Sequence, residues 1–519
     1  MFLPTFAVSA LHFLHFIIRP LIALIHIRRK PPLPPITNGV LKMSATTLAK
    51  KIRDGELSCL TVVQSYVDRI REVNPFLNAV IEDRFQAALE EAKICDSKLK
   101  AGEVNASMLE KEKPLYGVPI TVKESLALKG MSSTAGNVNR KEAKASETPV
   151  VIQTLMDAGA IPLCVTNTSE FSTSIHTTNF LHGRTGNSYD TRKSPGGSSG
   201  GEGALIGAAA SVLGMGSDMI GSIRIPSHFN GIFGHKPTSG ILSIQGHFPN
   251  CDDPEFQNML VLGPMARYAE DLHLAMKVLT SKYERPLRLD EPVDVKSLRV
   301  FYVDNFDSFC GIHSTTSDIR QKIKEGTRYL AENGARVEHL SQEWVSKMHV
   351  CLMGCCGHIK VPDSILEAQN PGGKRRPILE MIKALFGLSR CTIHLALVVF
   401  TSYLHGFIPL SKLDGVTKTK ENLRRKFNTL LGSDAVFIYP TFPQPTSYPE
   451  IIFLQTDSSV YVALANMLHL PSTHVPMGLN RDGLPIGLQV TAASHQDRLC
   501  LAVARELEKA FGGWTPPPS

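Results

Sequence analysis

No internal repeat and no low-complexity linker interrupts residues 40–515, and nowhere in the chain is there a Gly-Lys-Ser/Thr phosphate loop or a Cys-x-x-Cys pair. Each absence removes a possibility. An uninterrupted stretch of this length fits one large domain with a substantial core. Without the phosphate-loop ending, Gly/Ser-rich stretches are not nucleotide cradles. The ten cysteines follow no short, regular spacing, which favours reduced thiols over a disulfide scaffold. Their densest patch is His349, Cys351, Cys355, Cys356 and His358. It lacks the second pair that a zinc site uses and lies among Val350, Leu352 and Met353, so buried small hydrophobes explain it better than a metal does. The net charge of +7 comes partly from Arg28-Arg29-Lys30 and Lys374-Arg375-Arg376, neither interleaved with aromatics. These clusters read as membrane-edge or solvated charge, and no nucleic-acid partner is expected.

What is present begins with an apolar N-terminus. Phe2 to Ile27 is nearly all apolar, broken by Arg19-Pro20 and a few histidines. It is long enough to cross a bilayer, which takes about 20 such residues. Positive charge follows the run, which suits a retained anchor better than a cleaved signal peptide. The expectation is a membrane anchor over residues 1–30, single-pass or, if bent at Arg19-Pro20, monotopic, on the endoplasmic reticulum or a lipid droplet. Residues 31–40, opening with Pro31-Pro32-Leu33-Pro34-Pro35, form a stiff linker. The body occupies 41–519.

Within the body, helical periodicity appears over Leu48–Ile52 and over Val62–Ile70, the latter prepared by Ser58 and Thr61 and ended by Pro75. β-Branched runs at Gly117–Val122, Ile161–Thr166, Leu298–Val303, Ala435–Tyr439 and Ile486–Val490 read as strands, and Val150–Ala158 and Arg498–Phe511 as helices. The alternation predicts an α/β sheet covered by helices on both faces. A second apolar region, Ile378 to Leu410, is too often broken by polar residues to span a membrane. It predicts two short helices with one apolar face, either buried or dipping into a membrane as a cap.

The centre of the chain holds the chemistry. Residues 194–203 are Ser-Pro-Gly-Gly-Ser-Ser-Gly-Gly-Glu-Gly, and residues 214–226 are Gly-Met-Gly-Ser-Asp-Met-Ile-Gly-Ser-Ile-Arg-Ile-Pro. Glycines around serines let backbone N–H groups approach a ligand closely, as an oxyanion site requires. A flexible linker would not run straight into the small-residue helix from Ala204 to Ala210. Gly196–Gly200 also fits a Gly-x-Ser-x-Gly nucleophile elbow, a pattern short enough to arise by chance.

Three segments together carry a resemblance. They are Gly117-Val-Pro-Ile-Thr-Val-Lys123-Glu124, Gly196-Gly-Ser-Ser-Gly-Gly-Glu202, and Gly216 through Pro226, with Lys123 and Ser198 75 residues apart and Ser198 and Ser222 24 apart. Gly231–Pro237 and Gly483–Val490 add to them. The chain resembles the amidase-signature family over nearly everything after residue 40. The resemblance implies the family's α/β fold, a large twisted mixed sheet with helices on both faces. It implies Ser222 as nucleophile, Ser198 as a bridging serine following a cis peptide bond, and Lys123 as the base. It implies an oxyanion hole from the amides of Met219, Ile220, Gly221 and Ser222, support from Asp218 and Arg224, and Ser172 lining the substrate site. No metal or organic cofactor is implied. The physics is coherent: a serine hydroxyl needs a neighbour to take its proton, and burial can make a lysine amine neutral enough to do so.

The apolar N-terminus and region 378–410 point within the family to the membrane-anchored fatty-acid amide hydrolases. That branch implies a lipid amide substrate and a membrane partner, and leaves a homodimer open. One departure stands out. Where family members have a glycine, this chain has Ile220, which would be strained if the position needs a positive φ. A lipid-amide binder disabled at Ile220 therefore remains an alternative. So do an esterase using Ser198 or Ser199 with a histidine, and a tRNA-dependent amidotransferase subunit.

Overall fold

The computed structural model describes residues 17–27, 31–281, 283, 287–306, 313–365 and 376–519. In chain order the strands are β1 (Val80–Asp83), β2 (Pro119–Lys123), β3 (Ile161–Thr166), β4 (Thr178–Asn179), β5 (Gly183–Arg184), β6 (Leu213–Asp218) and β7 (Phe233–Lys236). β8 (Val261–Ala266), β9 (Arg299–Tyr302), β10 (Arg336–His339), β11 (Ala435–Pro440), β12 (Ser472–Leu479) and β13 (Pro485–Ala492) follow. Eleven of them form one sheet in the order β1-β3-β2-β6-β8-β7-β12-β13-β11-β9-β10. The sheet is mixed: β3-β2-β6 and β11-β9-β10 run parallel, and the remaining neighbours are antiparallel.

Period-two alternation shows that both faces are covered. On β11, Val436 and Ile438 enter one apolar cluster, with the helices Cys59–Leu77, Ala269–Leu279 and Asp497–Phe511. Ala435, Phe437 and Tyr439 enter another, with Val345–His358, Leu413–Leu431 and Val460–Met467. Cys351 and Cys355 belong to that second cluster as small buried side chains.

Most elements fall where periodicity put them, and three differences have physical causes. The helix Cys59–Leu77 runs through Pro75. Its end is set instead by Asn78, left-handed at φ 48°, whose N–H bonds to Asn74 O, while Asn74 Oδ1 accepts from Ala79 and Val80. The Pro-rich segment lies against the body: Leu33 is buried in the core, and the Pro35 carbonyl accepts from Arg69 Nη1 at 3.4 Å. Residues 17–25 are helical, so the chain continues as helix through Arg19-Pro20 where a break was expected. Residues 1–16 and 28–30 lie outside the described residues. Among the described residues no helix is long and apolar enough to cross a membrane, so the expected spanning anchor is not found there.

Candidate active site

Three neighbouring strands and one glycine-rich loop assemble the site. Lys123 ends β2, whose five residues are all buried between β3 and β6. Val122 pairs with Met215, which brings the Lys123 amine to the C-terminal end of β6, where Ser217 and Asp218 lie. Lys123 is fully buried, and its Nζ lies 2.6 Å from Ser198 Oγ and 2.8 Å from Ser217 Oγ. Desolvation lowers its pKa from 10.5 to about 7, against the opposing pull of Asp218 and Glu202. Glu202 stands close by on the helix Gly200–Gly207, accepting from Thr121 Oγ1 at 2.5 Å and Thr166 Oγ1 at 2.8 Å. Burial raises its carboxyl to about 7.

The glycines of the 196–201 loop serve close backbone packing. A Cβ on Gly197 would lie 2.4 Å from Ser174 O and 2.7 Å from His176 N. The Gly197–Ser198 peptide is cis. The Ser198 carbonyl is held by the hydroxyls of Thr168 at 3.1 Å and Thr177 at 3.3 Å. Ser199 N–H donates to Ser222 O at 3.2 Å, tying the two serine segments together. Lys123 and Ser198 are closed to solvent, whereas Ser222 is half-exposed. In this conformation the Ser222 hydroxyl makes no hydrogen bond among the described residues. The structure thus brings Lys123 and Ser198 into direct contact and joins Ser222 to them through the backbone.

The turn carrying Ser222 is built on a buried ion pair. Arg224 Nε and Nη2 each reach Asp218 at 3.1 Å, with both side chains fully buried. Burial alone would raise the Asp218 carboxyl, but the Arg224 guanidinium, aided by Lys236 and Asn466, more than offsets it and holds the pKa at about 2. Asn466 and Gln489 complete the Arg224 fork at 2.6 and 2.8 Å. Asp218 Oδ1 also accepts the Gly221 amide at 2.7 Å, and Oδ2 the Ile223 amide at 3.1 Å. Of the four amides expected to line an oxyanion hole, the Gly221 N–H thus has an internal partner in this conformation. The amides of Met219, Ile220 and Ser222 make no internal hydrogen bond among the described residues. Gly221 is the left-handed residue here, at φ 90°, and a Cβ on it would meet Val462 Cγ2 at 2.4 Å. Ile220 is not left-handed, so the strain expected of it does not arise. Its side chain packs with an apolar wall that includes Ile225, Phe229, Phe442 and Val462.

Ser172, left-handed at φ 59°, lies 3.4 Å from Thr168 Oγ1, one hydroxyl removed from the Ser198 carbonyl. Among the described residues the elbow reading finds no histidine hydrogen-bonded to its serines. Ser198 Oγ is held by Lys123, and Ser199 Oγ donates to the Ser217 carbonyl at 3.4 Å. Sequence reasoning missed Ser217, Glu202 and His247. Ser217 and Glu202 lie inside the recognised motifs but were given no role. His247 reaches Ser217 Oγ at 3.0 Å from a distant loop that no local pattern marks.

The mixed sheet thus buries the Lys123 amine against Ser198 behind the Gly221-Ser222-Ile223-Arg224 turn. The family model described as Amidase matches residues 61–501. The chain belongs to the amidase-signature family, and it is a hydrolase of amide C–N bonds. It is 41% identical over 506 residues to Fatty-acid amide hydrolase 2-B of Danio rerio, covering 94% of this chain and 93% of that protein. It is 37% identical over 490 residues to Fatty-acid amide hydrolase 2 of Homo sapiens, covering 93% and 92%. A solved fatty acid amide hydrolase superposes with a TM-score of 0.73 at 21% identity, over 92% of this chain and 87% of that one, a likeness of fold.

Proposed function

We propose that this chain hydrolyses long-chain fatty amides, primary amides and N-acylethanolamines, at a membrane surface through Ser222, Ser198 and Lys123. The observation that carries the reading is the buried Lys123 amine, lowered to about 7 and 2.6 Å from Ser198 Oγ. A neutral amine accepts the Ser198 proton as Ser198 accepts that of Ser222, leaving the Ser222 oxygen to attack the amide carbonyl. The developing oxyanion is met by the free amides of Met219, Ile220 and Ser222, each donor contributing about 3–4 kcal/mol. Lys123 returns the proton through Ser198 to the leaving nitrogen. Water then takes the same route to release the fatty acid from the acyl-enzyme.

The lipid character of the substrate is supported by two features. The apolar wall beside Ile220 suits an acyl chain. A helical pair, Pro377–Leu385 and Ile393–Tyr403, turns Leu385, Phe386 and Leu388 outward at 61%, 75% and 75% exposure, with Ile378 and Ile382 near half. Three large apolar residues that exposed in and just beyond one helix suit burial in a lipid interface. The underside of the pair, Cys391, Leu395 and Val399, packs on Phe171, and Glu170 accepts the Thr392 amide at 2.7 Å, so this surface adjoins the Ser172 loop. The names of the relatives agree with a fatty amide substrate.

Incubation of the purified chain with oleamide should release oleate, and Ser222→Ala should abolish the release. Absence of release from wild-type protein, with or without vesicles, would refute the substrate reading.

A further inference from the structure

Lys123 has two hydroxyl neighbours, and a neutral amine has only one lone pair. If Ser217 donated to that lone pair, Ser198 could not. Which serine donates is decided by groups beyond them. His247 Nδ1 lies 2.8 Å from the Pro249 carbonyl, which can only accept, so Nδ1 carries the proton. His247 is buried, at 4% exposure, and is held neutral, its pKa lowered to about 3 by desolvation first and by Lys123 second. In a neutral ring with Nδ1 protonated, Nε2 can only accept. The Ser217 hydroxyl at 3.0 Å must therefore donate to it, and toward Lys123 at 2.8 Å Ser217 can only accept. The loop that carries His247 is pinned to the segment that directly follows β2, whose last residue is Lys123. Ala127 N bonds to Gly246 O at 3.0 Å and Phe248 N to Ser125 O at 2.8 Å, flanking a bridge between Leu126 and His247.

We propose that His247 is a positioning residue that polarises a one-way hydrogen-bond chain, Ser198 to Lys123 to Ser217 to His247 to the Pro249 carbonyl, and so reserves the Lys123 lone pair for Ser198. This rests on the lysine-relay reading above. His247 touches neither substrate nor a reacting atom; it acts through Ser217. Losing it frees the Ser217 hydroxyl to turn and donate to the amine. The lone pair is then shared, and neutral Lys123 is stabilised as a poorer base. The carboxylates facing the amine, Asp218 on β6 and Glu202 on the helix Gly200–Gly207, stay as they are.

A double-mutant cycle on oleamide hydrolysis tests the proposal. His247→Met keeps most of the ring's volume without its acceptor and should lower kcat about tenfold with KM unchanged, a modest part of the 10²–10⁴-fold that general base catalysis provides. Its acid limb in the pH profile should move to lower pH. His247→Gln retains an acceptor and should recover most of the rate. In a Ser217→Ala background, His247→Met should cost less than about twofold more, because the group it acts through is gone. Equal losses in both backgrounds would make His247 merely structural and overturn the proposal. Should the methionine variant not fold, histidine NMR of the wild-type protein decides: Nδ1–H with unprotonated Nε2 supports the proposal, and Nε2–H overturns it. Turnover that survives Ser222→Ala would sink the relay reading itself, whereas an additive cycle with Ser222→Ala inactive sinks only the role of His247.

Discussion

Acidification should switch this enzyme off by protonating one buried amine. An ordinary lysine at pH 7 is neutral in only about one molecule in 3,000, given a pKa near 10.5. Burial without a direct carboxylate contact brings Lys123 to about 7, so about half the molecules carry the neutral base at that pH. At pH 5 the fraction falls to about one in a hundred, and kcat/KM should fall with it, with unit slope on a logarithmic plot. A neutral primary fatty amide is the substrate of choice, because it does not titrate in this range. Glu202 pulls the Lys123 pKa upward, so Glu202→Gln should move the acid limb to lower pH. A profile that stays flat from pH 9 to pH 5, or an acid limb that persists with Lys123 replaced, would refute the reasoning.

Stability should depend on the same amine. Its folded pKa lies below its unfolded value, so the unfolded chain binds the extra proton between about pH 7 and 10.5, and stability rises with pH across that window. Lys123→Met should remove that dependence and raise stability at pH 6 by on the order of 4 kcal/mol, read by urea unfolding. Arg224→Met should cost about 3–5 kcal/mol in the same assay, because it leaves Asp218 buried and unpaired. Ile220→Gly should change kcat little, since no strain is relieved, whereas Gly221→Ala should lose activity through both its φ of 90° and the clash with Val462. Replacing Phe386 and Leu388 together by serine should weaken flotation with lipid vesicles while leaving turnover of a short soluble amide unchanged; undiminished flotation would remove this surface from the membrane reading.

The sheet and its helices were legible because their signals are local. Ile161–Thr166 is a strand with the bounds read from its β-branched run, all six of its residues buried. The helical pair in 378–410 was equally plain. Pro75 misled because the helix continues two residues beyond it, and the left-handed asparagine after the helix sets its end. Within the site, Lys123 and Ser198 were found through motifs that happen to be contiguous. That Asp218 reaches back for the Gly221 amide was not legible, because spacing does not display that contact. His247 was invisible because it depends on a loop docking across a bridge about 120 residues from Lys123 in sequence, a tertiary effect without a periodic signature. Ile220 looked like damage only while its backbone angle was unknown.

The most direct measurement is covalent labelling with a fluorophosphonate, mapped by peptide mass. The account predicts adduct on Ser222 alone, none in Ser222→Ala, and labelling slowed at least a hundredfold or so in Lys123→Ala. Adduct on Ser198 or Ser199 that persists in Ser222→Ala, or a wild-type labelling rate without the Lys123 amine, would contradict it.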